Sequence, residues 1–123
     1  PQDNLKDELT HYIKFGRETS KKNKEIVRIM LLRASLDTKI RDKVQAMLPA
    51  DGDPKFIERV NLLKAQKKVP NDLEHKLISL IGFQNFSTTF ISGFLFDEKT
   101  HKEIQTALDK LAEYTIDGIL KQN

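Results

Sequence analysis

The sequence predicts an all-α protein of about six helices in one domain spanning residues 1–123. Three observations lead there. Apolar residues recur at helical spacing along almost the whole chain. No segment alternates with period two for long enough to make a strand. Caps and breakers divide the chain at short intervals, with no internal repeat, low-complexity tract or long linker between them. A chain of 123 residues fits one domain and can bury roughly two-thirds of its unfolded surface.

The first stripe is Leu5, Leu9, Tyr12 and Ile13, with Gly16 as its expected stop. Thr19 or Ser20 could cap the next helix, whose apolar run is Ile26, Val27, Ile29, Met30, Leu31 and Leu32. Leu36, Ile40, Val44, Met47 and Leu48 make a third stripe, closed by Pro49 and Gly52. Asp53-Pro54 is a strong helix start: the carboxylate can cap, and proline at the first helical position gives up an amide that would be unpaired anyway. Phe56, Ile57, Val60 and Leu63 follow, and Pro70 is the expected end. Asn71 with Glu74, and Thr100 with Glu103, read as capping boxes before the last two helices.

The overall charge of +3 is unevenly spread, at +6 over residues 1–70 and −3 over residues 71–123. The densest basic run, Lys14, Arg17, Lys21, Lys22 and Lys24, is broken by Glu18. It reads either as a solvated turn or as a phosphate-contacting or interdomain surface, and it lacks the density of a nucleic-acid site. With no cysteine there is no disulfide, thiol or zinc–thiolate chemistry, which fits a reducing cytoplasm. His11, His75 and His101 are scattered without the i, i+4 pairing of a helical metal site, and Asp97 with His101 reads as an exposed local pair. No nucleophile elbow or phosphate loop is present, so neither an enzyme nor a cofactor is expected. The start at Pro1 fits a processed product or a fragment, and no signal peptide is expected.

Residues 77–96, LISLIGFQNFSTTFISGFLF, carry no charge in a chain that is 32% charged. Seven of the twenty are Ser, Thr, Asn or Gln and two are Gly, which argues against a membrane span. On a helical projection Phe83, Phe86, Phe90 and Phe94 fall in one arc of about 80°, and Leu73, Leu77, Leu80, Ile81, Ile91 and Leu95 in an adjacent one. Gly82, Asn85, Thr89 and Ser92 hold the remaining side, together with Ile78 and Phe96. The last helix has a similar excess, its apolar and small positions covering roughly 200°. Two readings stand: a central helix with neighbours all round it, or an antiparallel hairpin that gives one stripe to a symmetric four-helix interface with a second copy.

The succession of "IVRIMLLRAS", "DTKIRDKVQAML", "PKFIERVNLLKAQKK", "PNDLEHKL" and a last amphipathic helix ending "TIDGILKQN" resembles the C-terminal regulatory domain of TetR-family transcriptional regulators. The resemblance covers nearly the whole chain and is one of pattern. It implies a homodimer in the cytoplasm, joined by the last two helices, with a pocket for a small apolar or amphipathic effector in the helices before them. DNA would be read through an N-terminal helix-turn-helix absent from this chain, whose first helix would be the tail of the connecting helix. The candidate interface is Leu77, Leu80, Ile81, Gln84, Thr88, Ile91 and Leu95, with Ala107, Leu111, Tyr114 and Gly118. The candidate pocket is Tyr12, Met30, Phe56, Val60, Phe86, Phe90 and Phe94, oriented by Asn61, Asn85 or Thr89, although a phenylalanine stripe at this spacing also fits plain core. The rival functions are a free-standing helical adapter and a monomeric carrier of apolar ligands.

Overall fold

The computed structural model describes residues 4–47 and 53–121. Among these the chain forms six helices and no strand: α1 Leu5–Lys22, α2 Lys24–Ala34, α3 Thr38–Met47, α4 Pro54–Ala65, α5 His75–Leu95 and α6 Glu98–Leu120. The expected break at Pro49 and Gly52 and the stripe residue Leu48 lie outside the described residues.

Helix boundaries follow local chemistry, not always the expected one. At α1 the Asn4 side chain accepts from the Asp7 amide, and Asp7 and Glu8 sit in the first turn where the dipole favours acids. Gly16 does not stop this helix, which runs on to Lys22, and neither Thr19 nor Ser20 caps α2. A single glycine costs a helix only about 1 kcal/mol against alanine, and tertiary contacts on both sides of Gly16 outweigh that. Asp53 caps α4 through the Lys55 amide, with Pro54 in the first turn, as the sequence predicts.

The end of α4 comes before Pro70. Lys67 adopts φ 59°, and the amides of Lys67 and Lys68 close back on the carbonyls of Lys64 and Leu63. This is the left-handed helix end that glycine usually occupies. Neither expected capping box forms. α5 begins after Glu74 without a side-chain cap, and α6 is capped by the Asp97 carboxylate on the Thr100 amide at 2.8 Å.

The core gathers Leu5 and Leu9 of α1, Phe56, Val60 and Leu63 of α4, Val69 and Leu73 of the following loop, Ile78 of α5 and Ile116 of α6. Glu8 is buried beside it and faces Arg59 of α4 at 3.6 Å. α5 and α6 pack most extensively, joined by a short turn as an antiparallel hairpin, with α1 lying against both. α2 and α3 pack mainly on each other, and α2 buries no residue. Ile26, Ile29 and Leu32 on α2 and Leu36 in the next turn are exposed.

Candidate functional site

α5 packs with its polar arc inward. Its buried residues are Ile78, Gly82, Asn85 and Ser92, the side of the helix poorest in large apolar groups. Small size is the reason this face can go in. At Gly82 the Tyr12 ring of α1 comes so close that a Cβ would meet it at 3.1 Å. Other helices supply partners for Asn85 Oδ1 and Ser92 Oγ, while Asn85 Nδ2 is buried with no hydrogen-bond partner among the described residues. The Asn85 oxygen accepts from the Arg17 guanidinium at 2.9 Å, which fixes the amide orientation. Ser92 Oγ donates to the Thr89 carbonyl at 2.9 Å and also meets Nδ1 of His101 on α6. The contact between Ser92 and His101 ties α5 to α6.

The expected Asp97–His101 pair is replaced by these contacts. The Asp97 carboxylate turns to the Thr100 amide, whose hydrogen bond holds its pKa below the ordinary value, and the His101 ring turns to Ser92. Asn61 is exposed, and Thr89 is half-buried, its hydroxyl without a hydrogen-bond partner among the described residues. Among those residues no cluster of three or more His, Asp or Glu side chains could hold a metal ion. None of the helices described is long and apolar enough to cross a membrane.

With the polar arc inside, the aliphatic arc is left outside. Of the eleven candidate interface residues, Leu77, Leu80, Gln84, Thr88, Ile91 and Leu95 on α5 are exposed. Ala107, Leu111, Tyr114 and Gly118 of α6 are exposed as well. Only Ile81 is half-buried, against the core. Leu77, Leu80, Ile91, Leu95, Leu111 and Tyr114 are each between 47% and 68% exposed. Together these six side chains leave roughly 700 Å² open, close to the roughly 800 Å² that each partner contributes to a stable interface. In the valley between the two helices lies a dimple of about 10 Å³, bordered by Gln84, Asn85, Leu111 and Thr115 among others.

The candidate pocket residues fall into separate groups. Phe56 and Val60 are core, and Tyr12 stacks on Phe56 with ring centroids 4.6 Å apart. Phe86, Phe90 and Phe94 form a ladder along α5 with centroids 6.0 and 4.8 Å apart, and Arg28 of α2 lies over Phe94 at 5.0 Å. Met30 is half-buried on α2. None of the seven lines the dimple or the larger opening, a cleft of about 350 Å³ between α1 and α6.

The cleft has an apolar floor of Leu9, Ile13, Ala112 and Ile116. Ion pairs join its two walls. Lys6 reaches Glu113 at 3.0 Å and Asp117 at 3.4 Å, and its hydrogen bond to Glu113 raises its pKa. Arg17 reaches Asp109 at 2.9 Å and also donates to the Gln105 carbonyl. Part of the basic run of the sequence thus serves as helix-to-helix contact. The cleft itself went unforeseen, since it arises where Ala112 of α6 faces α1, a meeting of residues about 100 positions apart. Compared with models of known families, with curated proteins and with solved structures, the chain matches none.

Proposed function

We propose that the chain is the effector-sensing and dimerisation domain of a TetR-like transcriptional repressor, in which the α5–α6 hairpin pairs with that of a second copy as a four-helix bundle. The observation that carries this reading is the inverted packing of α5. A helix that buries Gly82, Asn85 and Ser92 while exposing Leu77, Leu80, Ile91 and Leu95 is poorly placed in water. Exposed apolar patches of this extent mark interaction faces. The exposed apolar side chains lie on both helices of an antiparallel hairpin, a geometry that a two-fold axis can match with itself.

In this mechanism a small apolar or amphipathic effector binds one arrangement of the dimer better than another. The difference in affinity shifts the population and moves DNA-reading heads attached ahead of α1. The test is the mass in solution by light scattering across a dilution series, alone and with Leu80→Glu/Ile91→Glu. The expected result is twice the 14.2 kDa of one chain, with the double substitution reverting to one copy. A monomer at every concentration would sink the reading and favour a carrier of apolar ligands.

A further inference from the structure

We propose that the cleft between α1 and α6 binds a small amphipathic anion, an apolar body carrying one carboxylate. Its volume of about 350 Å³ falls within the range of small-molecule pockets, roughly 300–1,000 Å³. The floor is firmly built. Leu9 and Ile116 are core residues with at most 2% exposure, and Ala112 is 8% exposed. The space exists because α6 presents alanine here, one turn from the larger Leu108 and Ile116.

Charge selects the ligand. α1 brings Lys6, Lys14 and Arg17 to the cleft, and α6 brings Asp109 and Glu113. Both acids are engaged, Glu113 by Lys6 and Asp109 by Arg17. Lys14 lies between these two bridges along α1, exposed, and forms no ion pair among the described residues. Counting Asp117, which Lys6 also meets, three acids face three cations, and Lys14 is the cation left without an ion-pair partner among the described residues. A carboxylate beside Lys14 gains a charge-assisted partner, while the apolar body displaces water from Ile13 and from the aliphatic stems of the wall side chains over a floor closed by Leu9 and Ile116. The same two bridges tie α1 to α6, so an occupant that parts the walls acts directly on the helix leading to the proposed DNA heads. This consequence rests on the repressor reading, whereas the site itself does not.

The probe is decanoate, followed by methyl NMR on the full chain, with decanol as the uncharged comparison. Saturable shifts are expected at the Leu9, Ile13 and Ile116 methyls and none at Leu80, Ile91 or Leu95. Lys14→Met, at an exposed position that leaves folding intact, weakens decanoate by about tenfold, the effect of one charge-assisted contact, and leaves decanol unchanged. Ala112→Leu fills the floor and abolishes both. Shifts centred on the α5–α6 face, no saturable binding, or equal decanoate affinity in Lys14→Met would overturn the proposal. A monomer that still binds decanoate in the cleft would leave the site standing and remove only the repressor reading. A dimer that binds none would do the reverse.

Discussion

Ile78 and Leu80 lie two residues apart on α5, about 200° apart round the helix, and alanine substitutions at the two should behave differently. Ile78 has 0% exposure and belongs to the core cluster. Removing three buried carbons costs about 2.5 kcal/mol in transfer and roughly 1 kcal/mol more for the cavity, so Ile78→Ala should lose about 3–4 kcal/mol. Leu80 is 49% exposed in the single chain. Its truncation costs the folded monomer about 1 kcal/mol, because only half the transfer is lost and no closed cavity forms. The other half is buried only when a second copy arrives. Two copies then lose about 2 kcal/mol, or about 30-fold in the dimer dissociation constant. Urea unfolding with an unchanged m-value, at concentrations where light scattering reads one copy, separates the first effect from the second. If Leu80→Ala cost the monomer as much as Ile78→Ala, α5 would be rotated by about half a turn and the inverted packing would be wrong.

Two glycines of the same chain should diverge. Gly16→Ala meets nothing within 4 Å and should stabilise by about 0.5–1 kcal/mol, whereas Gly82→Ala puts a methyl 3.1 Å from a Tyr12 ring pinned by Phe56 and should lower the melting temperature. Lys67→Gly relieves the positive φ at the end of α4 and should raise stability by up to about 1 kcal/mol, read by thermal unfolding. His75 has its pKa lowered from 6.5 by desolvation and then by Lys64, so the folded chain binds the proton less readily than the unfolded one. Its contribution is constant above about pH 6.5 and is lost as pH falls below that value; His75→Gln should flatten the wild-type decline between pH 7 and 5.

The existence of the helices was legible in the sequence from local periodicity, while several of their boundaries, at Gly16 and at both expected capping boxes, were not. The Asp53-Pro54 start needs only its own neighbours, and so does the uncharged run of α5. The face that α5 buries was not legible from periodicity, which favours packing the leucines or phenylalanines inward. That preference is reversed by partners on other helices: Arg17 for Asn85 and His101 for Ser92, with Tyr12 closing over Gly82. The one local hint was size, since Gly82 and Ser92 share an arc and permit close helix approach. Pro70 misled for a related reason. A proline forbids continuation, but the chain had already turned at Lys67, a residue whose left-handed conformation nothing in its type foretells. The aliphatic interface list forms one outward face because a stripe stays a stripe whichever way the helix turns. The pocket list mixed core rings with the phenylalanine ladder, since spacing along one helix cannot show where two helices leave room between them.

The claim on which most depends is that the aliphatic face of α5 and α6 meets a second copy of the chain. The most direct test mixes carbon-13-labelled and unlabelled chains and records only the nuclear Overhauser effects that pass between copies. They are expected at the methyls of Leu80, Ile91 and Leu111. Intermolecular effects confined to Ile29 and Leu32 of α2, or none at any concentration, would contradict it.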